Sequence, residues 1–176
     1  MSKKESAFNG EFSYRQLAEQ GRNMVTAGDK EKIKHYINLM KSDDSVSVQR
    51  ASAIISNASD VNAHLFAEFV PDFLEILENN VHRSAPRAVF RILERVQSIP
   101  EDWLGPLIDI SFRYLNDSEK SIAEKVFAMT VIANQIENYP DLKHELGATL
   151  SAQMQTGSAG FKSRARKIAA KYGIDL

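Results

Sequence analysis

The chain has 176 residues, 43% of them hydrophobic, and its 22 Lys and Arg nearly balance its 23 Asp and Glu. That length suits one domain with a sizeable core, and the charge balance removes any global pull toward nucleic acid or an anionic membrane. The absence of cysteine excludes disulfides, thiolate metal sites and cysteine nucleophiles. With no apolar run near the roughly 20 residues needed to span a bilayer and no apolar signal core in "MSKKESAFNG", the expectation is a cytoplasmic protein without a membrane segment.

Residues 1–12 carry no periodicity and are expected to be a disordered N-terminus ahead of a single domain over 13–176. Beyond them almost everything reads as helix. The first pair covers about 13–27 and 29–41, broken at Gly28 and capped by Asp29. A helix over about 45–57, with Ser45 as its cap, carries the stripe Val48, Ala51, Ile54, Ile55 and Ala58. The next, about 62–79, carries Phe66, Phe69, Phe73 and Leu77. Helices at about 84–98, 101–116, 118–137, 140–155 and 159–172 complete an all-α chain.

The helices fall into similar pairs. First helices contain "VQRASAIISNA", "PRAVFRILERV", "SIAEKVFAMTVIA" and "SRARKIAAKYG", alignable on Ala51, Ala88, Ala123 and Ala165 at spacings of 37, 35 and 42 residues. Two helices per unit at such a period mark an α-solenoid, because one amphipathic hairpin cannot bury its own apolar face and copies must stack. Among second helices, Pro100 and Pro140 read as first-turn prolines. Pro71 and Pro106 share one repeat position inside a helix, where proline is read as a built-in kink.

"SDDSVSVQRASA" looks like a HEAT signature, with an acidic turn, a Val, an Arg and then small residues. "KVFAMTVIANQIENYPDLKHEL" and "GSAGFKSRARKI" are similar to a family of short bacterial HEAT-like repeat proteins of unsettled function. The resemblance implies a right-handed α-α superhelix of about four helical hairpins plus a capping helix. Members are sometimes labelled adenylosuccinate lyase. That enzyme class resembles a much longer bundle with a Ser-rich signature loop, which neither "HRSAPR" nor "GSAGFKS" matches.

No constellation points to catalysis. "GSAGFKS" lacks the spacing of a phosphate-binding loop and follows no strand, so it reads as a glycine turn, a Ser158 cap and the last helix. His35, His64, His82 and His144 are scattered without metal-ligand spacing, and no cofactor is expected. Trp103 reads as a packing residue. Charge is more informative. Residues 60–80 are acidic, while Arg87, Arg91 and Arg95 recur every fourth residue opposite an apolar stripe. They form a ridge suited to carboxylate or phosphate, or to pairing with the acidic segment. In the last helix Phe161, Ala165, Ile168 and Ala169 face the stack, leaving Lys162, Arg164, Arg166 and Lys167 as a second basic surface. The expected function is a non-catalytic scaffold binding a protein partner through a solenoid face. The alternative is DNA binding, as in HEAT-like alkylated-base glycosylases, and the third reading is a small-molecule enzyme. Oligomeric state is open.

Overall fold

The computed structural model describes residues 13–79 and 82–176, so the expected disorder of residues 1–12 lies outside the described residues. Nine α-helices occur there: α1 (Tyr14–Thr26), α2 (Lys30–Leu39), α3 (Ser45–Ala58), α4 (Val70–Glu78), α5 (Ser84–Leu93), α6 (Glu101–Asn116), α7 (Ile122–Ala133), α8 (Leu142–Gln153) and α9 (Ala159–Tyr172). A short 3₁₀ helix, Ala63–Phe69, leads into α4, and no strand occurs among the described residues.

Local chemistry sets the ends. Ser13 with Gln16, and Ser121 with Glu124, form reciprocal capping boxes that start α1 and α7. Asp29, Asp44 and Ser158 each accept a backbone N–H at the start of α2, α3 and α9. The cap of α3 is therefore Asp44 rather than Ser45: a carboxylate reaches both the N–H and the hydroxyl of Ser47. Gly28 and Gly173 stand at φ of +65° and +64°, the left-handed conformation that glycine adopts without strain, between α1 and α2 and after α9.

Odd-numbered helices form one layer, each packed on the next from α1 to α9. Even-numbered helices return across it, so the chain is a HEAT-like solenoid of four hairpins closed by α9. Alanines at the stacking contacts allow close approach: Ala51, Ala88 and Ala165 are all buried. Ala123 is not. It lies in the first turn of α7, at the edge of the stack and half-buried, and Ala128, one turn deeper, is fully buried instead.

The prolines also differ from expectation. Pro71 sits in the first turn of α4, where no helical bond is lost, because the preceding turns are 3₁₀. Of the two, Pro106 alone lies in a helix interior, so the same repeat position has two local solutions. Pro100 caps α6, and Pro140 precedes the Asp141 cap of α8.

The interior divides into two apolar clusters. The larger joins α1 to α5 with one side of α6 and α7. The smaller joins the other side of those two helices with α8 and α9. Burial also covers Tyr114, whose hydroxyl donates to Leu77 O at 2.9 Å and is pushed up to about 12 by desolvation.

Candidate functional site

Arg87 and Arg91 lie on α5, but that helix ends at Leu93 rather than near 98, so Arg95 stands in the turn after its Glu94 cap; the arginine ridge is mostly engaged from within. The Nη2 of Arg91 donates to both carboxylate oxygens of Asp60 at 3.0 and 2.8 Å, and its Nη1 donates to Ser56 O at 2.9 Å and contacts the Ser56 hydroxyl. Arg95 reaches Asp60 at 3.3 Å and Glu94 at 2.9 Å. Arg87 is exposed and has no acidic partner among the described residues. The rest of the acidic segment is matched elsewhere. Lys30 pairs with Glu68, Lys34 with Asp72, and Lys41 with both Asp72 and Glu75, tying α2 to the 3₁₀ helix and α4.

The α9 cations divide in the same way. Arg164 donates to Thr130 Oγ1 at 2.8 Å and stands 3.4 Å from Glu94. Lys162 donates to Gln155 O at 3.1 Å, anchoring the turn before α9. Arg166 and Lys167 are exposed without an acidic partner among the described residues. The structure therefore gathers Arg91, Arg95 and Arg164 around Asp60 and Glu94, and leaves Arg87, Arg166 and Lys167 outside that network. Burial pushes the Glu94 carboxyl above its ordinary value, against the pull of Arg95, Arg164 and Arg91. A polar cleft of about 570 Å³ opens beside Glu94 and Arg95, bounded by Asn134 and by Lys171 and Tyr172 of α9.

The even layer carries a groove of opposite character. Leu104, Gly105 and Ile108 of α6 meet Tyr139 and Leu142 across about 330 Å³, with Glu101 and Asp109 also lining it. A Cβ at Gly105 would meet nothing within 4 Å. Tyr139 in its wall is 42% exposed; Trp103, read as a packing residue, is 39% exposed and is not among the groove's lining residues. Sequence reasoning named none of the residues that line this groove. The available signal was the run Glu101, Asp102 and Asp109 without a cation, interrupted by Gly105.

A third concavity, about 350 Å³, lies in the odd layer between α3 and α5. Gln49, Ser52 and Ser56 line one side and Ser84, Arg87 and Arg91 the other. Tyr14 of α1 joins the wall and donates its hydroxyl to Asn57 Oδ1 at 3.0 Å.

In the glycine turn before α9, Ser158 Oγ accepts the Phe161 N–H at 3.2 Å, the capping role expected of it. No group of three or more His, Cys, Asp or Glu side chains able to hold a metal occurs among the described residues, and none of their helices is long and apolar enough to cross a membrane.

Residues 9–172 match the family model described as "HEAT repeat domain". The chain is similar in fold to the crystal structure of an engineered protein, at a TM-score of 0.65 and 14% identity, over 91% of this chain and 71% of that one. No curated protein matches it.

Proposed function

Because the chain belongs to the HEAT repeat domain family, we propose that it is a non-catalytic helical-repeat scaffold that binds a protein partner through a solenoid face. The observation that supports this most is the α6–α8 groove. Its apolar floor of Leu104 and Ile108 lies between Glu101 and Asp109, and the exposed ring of Tyr139 stands in its facing wall. Apolar floors with aromatic anchors and a polar rim are the parts of a docking surface. Charge complementarity favours, as its occupant, a basic amphipathic segment of the partner, its apolar side down and its cations toward the acidic rim.

A fluorescein-labelled amphipathic helix with Leu on one face and Lys on the other should gain anisotropy saturably when titrated with the protein, and its Glu-substituted counterpart should not. Gly105→Arg fills the groove and reverses its charge at a position with room for a side chain, and should abolish the response with folding intact. Equal responses to both peptides, or a response unaffected by Gly105→Arg, would remove the groove from the proposal. Natural partners follow from capture out of native lysate, with and without nuclease, by wild type but not by Gly105→Arg.

Nucleic-acid binding is less well supported. It needs unpaired cations on one face, and Arg91, Arg95 and Arg164 are held by Asp60 and Glu94.

A further inference from the structure

We infer that the concavity between α3 and α5 binds the phosphate group of a phosphorylated ligand, with Arg87 as its cation and the Ser52 hydroxyl as a donor in its floor. The inference rests on the odd layer and is independent of the α6–α8 groove.

Gln49, Ser52 and Ser56 fall on one side of α3, facing the neighbouring helix, where tight stacking alone would favour alanine. Ser52 is 3% exposed, and its Oγ has no hydrogen-bond partner among the described residues. A buried hydroxyl on a helix ordinarily satisfies itself on the carbonyl one turn back, as Ser111 does on Leu107 at 2.6 Å. Ser52 does not, and so keeps a donor uncommitted beside a cavity at a cost in free energy.

The two arginines of the concavity play different parts. Arg91 is spent: Asp60 and Ser56 take both of its terminal nitrogens. It adds positive potential and closes one side. Arg87, one turn earlier, is exposed at the rim, and its planar fork has no partner among the described residues. None of the lining residues is acidic, so nothing in the wall competes for that fork. Gln49 Nε2 and Ser84 Oγ contact His82 at 3.3 and 2.9 Å and Asn57 Nδ2 donates to Ala53 O at 2.7 Å, so the uncommitted donors are the Ser52 hydroxyl and the Arg87 guanidinium; around a concavity without carboxylates they match a phosphate group, which offers several strong acceptor oxygens and negative charge.

The phosphate could reside on a modified Ser or Thr of a protein segment or be free in solution, and the test separates these sources. Uniformly ¹⁵N-labelled protein is titrated with inorganic phosphate, with a phosphoserine peptide and with the same peptide unphosphorylated. Phosphate should shift the amides of Gln49, Ser52 and Arg87 saturably, while the unphosphorylated peptide leaves them in place. A phosphopeptide binding more tightly than phosphate identifies a protein-borne group, and equal or weaker binding identifies the free anion.

Arg87→Gln should weaken binding about 10- to 100-fold, the range for losing a hydrogen bond to a charged group. Arg87 is exposed, so this variant folds. Arg166→Gln should change nothing. Ser52→Ala should weaken phosphate binding and also raise the urea midpoint by removing an unpaired hydroxyl, whereas a merely structural hydroxyl would leave the titration unmoved. Shifts that do not saturate, that follow every exposed cation, or that survive Arg87→Gln would overturn the assignment.

Discussion

Arg164 of α9 stands 3.4 Å from Glu94, at the end of α5, across 70 residues of chain. The same guanidinium donates to Thr130 of α7, so one side chain ties three helices of the odd layer. A residue with the sequence pattern of a docking cation is used as a structural clasp. Arg164→Ala should lower the urea midpoint at unchanged slope, by about 1–2 kcal/mol, the worth of a partly screened charged hydrogen bond. Arg164→Lys should recover only part, because an ammonium has no fork to divide between Glu94 and Thr130. An unaltered midpoint in both variants would show that the clasp contributes nothing.

Acid should loosen the even layer first. Burial opposes ionisation of Asp72, yet hydrogen bonds from Lys34 and Lys41, at 2.6 and 2.8 Å, outweigh it and hold the carboxyl below its ordinary value. A depressed carboxylate contributes stability that is full above the unfolded value, about 3.9, and lost as pH falls through the folded one. Glu94 works in the other direction. Its raised value gives stability that is lost as pH rises through that value. Urea midpoints measured across the acid range should therefore fall toward low pH in the wild type and fall less steeply in Asp72→Asn. Parallel curves would refute the coupling.

Steric tolerance should follow the stacking contacts. A Cβ on Gly21 would lie 2.5 Å from Ile54 O, where backbone must move. Gly→Ala in a helix ordinarily gains about 1 kcal/mol. Here overpacking of about 1–3 kcal/mol should exceed it and destabilise the α1–α3 contact. Ala88→Leu should cost a similar amount for the same reason, and Ala123→Leu, at a half-buried site, within about 0.5 kcal/mol. Thermal melts of the three variants give the order directly, and equal losses at Ala88 and Ala123 would contradict the stacking described for α7.

Duplex DNA should bind no more tightly than non-specific contacts do, about 10⁻⁴–10⁻⁶ M at physiological salt. Each phosphate neutralised adds about 0.9 to the slope of log K against log salt, so with Arg91, Arg95 and Arg164 engaged internally the slope should be shallow. Binding tighter than micromolar with a steep slope, weakened by Arg91→Ala, would reverse the order of the two readings.

Local signals were legible wherever a cap or stripe decides the outcome. α6 and α9 begin and end where periodicity places them, and Asp29, Ser158 and Gly173 act as punctuation. The 3₁₀ turns before Pro71 were not legible, since the pattern Leu65, Phe66 and Phe69 suits either helix type. Nor was the fate of the arginines. Asp60 lies 31 residues from Arg91, and only the register in which α3 stacks on α5 brings them together. The α6–α8 groove escaped because it is a gap between two helices, a property of their spacing that neither helix encodes alone.

The division of the interior has a dynamic consequence. Leu107, Ile110 and Tyr114 of α6 belong to one apolar cluster, and Leu104, Ile108, Phe112 and Leu115 to the other. Helices α6 and α7 are thus a party wall between two cooperative units, and repeat architectures open unit by unit when such walls are thin. The second unit, with α8 and α9, can fray while the first stays closed. A ligand in the α3–α5 concavity would fasten only the first, and a segment in the α6–α8 groove only the second, so the two occupants would protect separate sets of amides from exchange.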